Sequence, residues 1–279
     1  MSIAKRTHWQ GLPAGRFLAD GNLHTSTMAT MHHHPTARFP QQRPLMLPDF
    51  PLPAQPSIVV LAPHPDDFDA ICITLQHFHQ QGHDIHLAVL TSGANGVEDG
   101  WQGAHTVAEK AALREAEQRA SCDFFGLPAQ RLTFMRLWEG DDAQASEQAS
   151  SDALRTYLHA TRPDLVFLPH GNDSNRTHRR TYQRFHAIAT EDGLRLHAAL
   201  NLDAKTVSMR PDLYAYFGGE EAAWKAQLLR FHRSQQERNL KTRGQGFDQR
   251  VLEVNRQAAA DAGGPMPYAE VFELQAFGL

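Results

Sequence analysis

Three ionisable side chains crowd one short turn of this sequence: His64, Asp66 and Asp67, in the run Pro63-His64-Pro65-Asp66-Asp67. The run follows Ser57–Ala62, a β-branched apolar stretch of the kind that a buried parallel strand shows. Three such groups at the end of a buried strand are costly to desolvate unless something compensates. His64 and Asp67 offer an imidazole and a carboxylate three positions apart, a spacing from which a turn can direct both at one ion. Zinc accepts this nitrogen and oxygen set, and a catalytic zinc site takes three protein ligands and keeps a position for water. Asp66 would lie beside the ion without binding it, where a carboxylate can take a proton from that water. The competing reading is that Asp66 or Asp67 merely caps the next helix.

A third ligand can come from the loop after a second apolar run, Leu165–Pro169, which reads His170-Gly171-Asn172-Asp173-Ser174-Asn175-Arg176-Thr177-His178. His178, at the start of the following helix, fits best; His170 is its rival. Both loops must be brought together by the fold. From Ser57 onward, strand-like and helix-like segments alternate. Strands are expected at Ser57–Ala62, 85–91, 132–135, Leu165–Pro169, 206–209, Leu213–Phe217 and 269–274. Helices are expected over 68–81, 106–125, 149–160, 178–191, 220–236 and 248–262. Repeated β-α-β units imply an α/β, Rossmann-like doubly wound, mostly parallel sheet with helices on both faces. In such a sheet the strands at 57–62 and 165–169 are neighbours leading in opposite topological directions. Their carboxyl-end loops then flank the crevice where these folds bind ligands.

Residues 1–56 read differently, rich in Pro, His, Thr and Arg without sustained periodicity, and are expected as an irregular N-terminal arm to a domain spanning 57–279. The arm should pack on the body or on a neighbouring subunit of a homo-oligomer. His32-His33-His34 within it reads as a solvated stretch, since adjacent residues rarely converge on one ion. The 279 residues are 41% hydrophobic and 21% charged, ordinary for a soluble globular chain, with a net charge of -4 that does not favour nucleic acid. Only Cys72 and Cys122 are present, which argues against a disulfide framework and for a reducing cytoplasm. No apolar run approaches the roughly 20 residues that span a bilayer, so no membrane partner is expected. A nucleotide-binding Rossmann domain is disfavoured: the first turn holds two carboxylates in place of G-x-G-x-x-G.

With PHPDD after the first strand and a histidine opening a helix after the fourth, the chain resembles the PIG-L/LmbE-like N-acetylglucosaminyl deacetylases. Arg114-Glu115-Ala116-Glu117, His232-Arg233-Ser234-Gln235 and Tyr268-Ala269-Glu270-Val271-Phe272 are similar to three further segments of that family. The resemblance covers about residues 57–274. It implies that His64, Asp67 and His178 hold Zn2+, that Asp66 is the general base, and that the substrate is a small amino-sugar conjugate losing an N-acyl, commonly N-acetyl, group. Arg114 matches an arginine that in relatives reaches a substrate or product carboxylate; an exposed i,i+3 pair with Glu117 is the plainer alternative. The sequence departs from the family pattern in three places. Phe68 stands where relatives carry Glu, and Ile71-Cys72-Ile73 where they often carry a glycine pair. Asn175 stands where a second histidine often helps stabilise the oxyanion. Asparagine donates a hydrogen bond but carries no positive charge, so either Asn175 serves as a neutral donor or His170 or Tyr182 supplies the function. A metal-holding sugar-binding protein with little turnover is the alternative that Asn175 favours. Specificity is expected in the loops 92–103 and 137–146, with Trp101 or Trp138 available to stack on a sugar ring.

Overall fold

The computed structural model describes residues 43–139 and 143–279. Its strands are β1 (Leu45–Met46), β2 (Ser57–Ala62), β3 (Asp84–Val89), β4 (Leu132–Phe134), β5 (Leu165–Pro169), β6 (Leu196–Asn201), β7 (Leu213–Phe217) and β8 (Tyr268–Phe277). Its helices are α1 (Cys72–Gln80), α2 (Val107–Phe125), α3 (Ala143–Thr161), α4 (Arg176–Glu191), α5 (Gly219–Leu229), α6 (Arg233–Arg243) and α7 (Phe247–Asp261). The eight strands form one sheet in the order β1-β7-β8-β6-β5-β2-β3-β4, parallel except where β8 runs against β6 and β7. The Rossmann-like doubly wound architecture is therefore present.

The pleat explains how the sheet is covered. Along β2, Ile58, Val60 and Ala62 point to one face with Ile85 and Leu87 of β3, packing against Leu75 and Phe78 of α1 and Phe125 of α2. Val59 and Leu61 point to the other face, against Leu154 and Leu158 of α3 and Phe185 and Ile188 of α4. A strand buried on both faces needs an unbroken apolar run, and Ile58 to Leu61 are at most 2% exposed. Helix α2 is delimited as its sequence dictates: Thr106 and Glu109 form a capping box, and Gly126, at φ 92°, closes the end.

Parts of the expected layout are corrected. Leu196–Asn201 is a fully buried central strand that was not anticipated, because Leu-His-Ala-Ala-Leu-Asn lacks a β-branched signature; its pairing with β5 and β8 decides it. The expected strand at 206–209 is absent, and only Thr206 makes an isolated bridge to Asp173. The single helix expected over 220–236 is two helices, broken around His232. Within the stretch read as arm, Leu45–Met46 adds an edge strand beside β7, and Leu47 and Phe50 enter the core. His32-His33-His34 lies outside the described residues. No described helix is long and apolar enough to cross a membrane.

Candidate metal centre and active site

Strands β2 and β5 pair in parallel, with β3 on the far side of one and β6 on the far side of the other. Their carboxyl-end loops meet at this switch point. His64 and Asp67 from the first loop and His178 from the start of α4 place ligand atoms within 4.8 Å of one another. His64 Nδ1 lies 3.3 Å from Asp67 Oδ2, and His178 Nε2 lies 3.5 Å from Asp67 Oδ1. Those separations match the edge of a ligand tetrahedron, about 3.3 Å for metal–ligand bonds of about 2.0–2.1 Å. The backbone N–H of His64 also donates to Asp67 Oδ2 at 2.7 Å, which closes the turn on itself.

His178 is oriented from behind. Its Nδ1 lies 3.0 Å from Asp173 Oδ2 and 4.0 Å from Asp203 Oδ2, which leaves Nε2 for an ion. A carboxylate behind a ligating imidazole fixes ring and tautomer and raises basicity. Burial opposes a charged imidazolium here, but Asp67, Asp173 and Asp203 outweigh it and raise His178 to about 9. Asp67 is held well below the carboxylate range: burial raises it, and the nearby His178 and His64 overcome that. The donor set, its spacing and its surplus of negative charge fit a divalent cation of the zinc type. Neither Asp173 nor Asp203 was singled out from the sequence. Asp173 lies in the quoted loop, but its partner became visible only when α4 turned His178 back over it.

Asp66 stands beside this triad without joining it. Its backbone has φ 120°, a region an L-residue enters only when held there. Gln118 Oε1 accepts the Asp66 N–H at 2.9 Å. Arg114 donates through Nη2 to Asp66 Oδ2 at 3.0 Å and to the Pro65 carbonyl. Gly93, at φ 64°, closes over the clamp; a Cβ there would meet Pro65 Cδ at 3.0 Å and Arg114 Nε at 3.3 Å. Burial raises the Asp66 pKa, Arg114 works against this, and Asp67 adds to it, with a raised value as the result. Neither Asp66 nor Asp67 is the N-cap residue of α1.

Arg114 does pair with Glu117, at 3.2 Å, but the exposed helix face expected for that pair is wrong: the Arg114 side chain is 2% exposed. Glu117 in turn accepts from the Ser234 N–H and hydroxyl, each at 2.7 Å. His232 Nε2 meets Asp69 Oδ2 at 2.7 Å, with both side chains fully buried. Glu270 accepts from the Ile73 and Thr74 N–H groups and from Lys225. The three further segments thus act as struts under the turn. Phe68 is fully buried apolar, and Asp69, one residue on, provides a buried carboxylate.

The other expected residues divide. Asn175 lines the cavity around the triad, and its side chain also caps α4 by accepting the Thr177 N–H at 3.0 Å. His170 is not a ligand: it pairs with Glu273 at 3.3 Å and lines a separate cavity with Tyr182. Neither can replace Asn175. Trp138 lines the main cavity and Trp101 does not. Because the cap needs only Oδ1, Asn175→Asp should keep it while removing the amide donor. If that donor serves the reaction, kcat should fall about 10²–10³-fold with an unchanged melting temperature. A wild-type rate in this variant would leave Asn175 as a cap alone.

The family model for PIG-L, described as GlcNAc-PI de-N-acetylase, matches residues 59–189. No protein with a curated description matches the sequence significantly. Among solved structures, N,N'-diacetylchitobiose deacetylase from Pyrococcus horikoshii is similar at 19% identity and a TM-score of 0.62, covering 78% of this chain and 83% of that one. The zinc-inhibited form of teicoplanin deacetylase Orf2 gives 16% and 0.59, over 78% and 98%. GalB, a 4-carboxy-2-hydroxymuconate hydratase from Pseudomonas putida, gives 18% and 0.53, over 79% and 95%. Likenesses at such identity speak for the fold, and the hydratase among them means that activity must be argued from the site. The switch-point triad and the PHPDD turn both fall within residues 59–189, the stretch that matches the PIG-L family model.

Proposed function

We propose that the chain is a metal-dependent N-deacetylase, a hydrolase acting on the linear amide of a small amino-sugar conjugate. The observation that carries the reading is the convergence of His64, Asp67 and His178 with a clamped, non-ligating Asp66 beside them. The cavity they share measures about 690 Å³, within the range of small-molecule sites. A zinc ion held by the three ligands would supply a Lewis acid for the amide carbonyl and a water acidified toward a pKa of about 7.

The chain's own residues carry the rest. Asp66 accepts the proton of the attacking water at its free carboxylate oxygen and then delivers it to the departing amine. Arg114 keeps Asp66 in place and opposes the rise in its pKa that burial causes, which favours the ionised form that a base requires. Asn175 offers an amide donor to the charge that develops on the carbonyl oxygen. Trp138 presents a ring at the cavity wall, with the Arg180 guanidinium 4.9 Å from its centre.

The test is acetate release from N-acetylglucosamine glycosides. Purified protein should contain about one zinc per chain, lose turnover with a chelator and regain it on adding zinc. Binding of metal should weaken as pH falls, because His178 must shed its proton to bind. Turnover that persists after complete metal removal would overturn the reading.

A further inference from the structure

Beside the reacting end, the same cavity has a second wall built by α6 and α7. Phe247, Arg250, Val251 and Val254 lie at i, i+3, i+4 and i+7 of α7, one stripe of the helix, and all four line the cavity. Leu252 turns the other way into the core, so α7 is two-sided. Arg238 of α6 joins the stripe. Its Nη1 reaches the Gly96 carbonyl at 3.4 Å, and Arg250 Nη1 reaches Asn239 Oδ1 at 3.3 Å. Asn239 is buried and anchored to the Gln235 carbonyl at 2.8 Å, so it fixes the direction of Arg250.

The charges of the cavity are sorted between the two walls. Asp66, Asp67 and Asp203 belong to the metal end. Arg114 is neutralised there by Asp66 and Glu117, and Arg180 is neutralised by Glu147. Lys205 lies in the same loop as Asp203, whose carboxylate accepts its backbone N–H, and Glu139, also on the lining, accepts the Ser92 N–H. Arg238, which is exposed, and Arg250, which is half-buried, form no ion pair among the described residues and have only neutral oxygen partners, so both guanidiniums are available to an anion at the cavity wall. A guanidinium fork binds carboxylate or phosphate in a planar, two-pronged way. The neighbouring Phe247, Val251 and Val254 offer apolar surface that such a headgroup alone would leave uncovered.

We propose that the α6–α7 wall is a subsite for an anionic group, carboxylate or phosphate, attached through apolar carbons to the amino sugar. This rests on the deacetylase reading and adds a substrate class to it. The sugar N-acyl group would face the metal ligands while the anion, repelled by the carboxylates there, lies against Arg238 and Arg250. That polarity also fixes which end of the substrate enters first.

The experiment compares three N-acetylglucosaminides sharing one aryl-alkyl aglycone, ending in a carboxylate, a phosphate or the neutral methyl ester of the carboxylate. KM is measured by amine release with zinc-loaded protein, and Kd by calorimetry, at low and high salt. At least one anionic compound should have a KM and Kd about 10- to 100-fold lower than the ester, with a smaller advantage at high salt. The compound that shows the advantage distinguishes carboxylate from phosphate. In Arg238→Gln/Arg250→Gln, confirmed folded by its thermal melt, the ratio of anionic to neutral compound should collapse toward one. Equal affinity for all three in the unsubstituted protein, or an advantage that survives the double variant, overturns the subsite. If none is turned over, the deacetylase reading fails, and the Kd comparison still decides the subsite by itself.

Discussion

Asp66→Asn is expected to retain about one zinc per chain while kcat for amide hydrolysis falls about 10²–10⁴-fold, the usual contribution of a positioned general base. The proposed ligands His64, Asp67 and His178 are untouched, so metal content should not change. The backbone should hold as well. Position 66 sits at φ 120°, and asparagine is among the residues most tolerant of positive φ. The N–H that Gln118 accepts remains, and the Asn side-chain carbonyl can still take a hydrogen bond from Arg114. Arg114 keeps Glu117 as its counter-ion, which limits the cost of losing one charge from the cluster. What disappears is the capacity to accept a proton and return it. Metal analysis beside steady-state kinetics separates the two effects. A variant that turns over at the unsubstituted rate would remove Asp66 from the mechanism, and one that loses its zinc would make it part of the metal site.

Lys225→Met is expected to cost about 3–5 kcal/mol of stability, because it strips the cation from a buried carboxylate. Lys225 Nζ meets Glu270 Oε1 at 2.6 Å with the side chains 0% and 1% exposed, and it also donates to the Ala70 carbonyl at 2.6 Å. Glu270 in turn receives the Ile73 and Thr74 N–H groups and the Thr74 hydroxyl. The carboxylate therefore ties β8 to the start of α1, a few residues beyond the metal-binding turn. Methionine fills most of the lysine stem's volume, so the loss should be mainly electrostatic. At about 2–4 °C per kcal/mol for a domain of this size, the melting temperature should fall by roughly 6–20 °C. The measurement belongs on metal-free protein, since bound zinc would mask part of the change. Lys225→Met/Glu270→Gln should recover part of the loss, because the stranded charge is then gone. An unchanged melting temperature in the single variant would mean that the pair contributes nothing net.

The two variants mark a division that runs through the whole molecule. Some features lie in short stretches of chain and can be read there. Strand β2 is an apolar run that only burial on both faces accommodates, and PHPDD follows it at once. Thr106, Glu109 and Gly126 announce both ends of α2. His178 stands at the start of a helix after a second apolar run, so the ligand triad followed from two local patterns and the topology rule that joins them. Other features have no local signature. Leu196–Asn201 is a strand because β5 and β8 flank it, although its composition suits a helix as well. Arg114 and Glu117 read as an ordinary exposed pair three residues apart, yet α2 packs them beneath the turn, where Asp66 and Ser234 complete their partners. His170 and Asn175 are both near His178 in the loop, but the path of the chain sends only Asn175 into the cavity. Asp69 meets His232 across 163 residues of sequence. The fold class and the grouping of His64, Asp67 and His178 with Asp66 beside them were legible in the chain alone, because turns and apolar periodicity are properties of neighbours in the chain. Which buried charges meet, and what holds Asp66 at its positive φ, follows only from the packing of distant segments. Low-dielectric pairing depends on proximity in space, and sequence separation does not encode that.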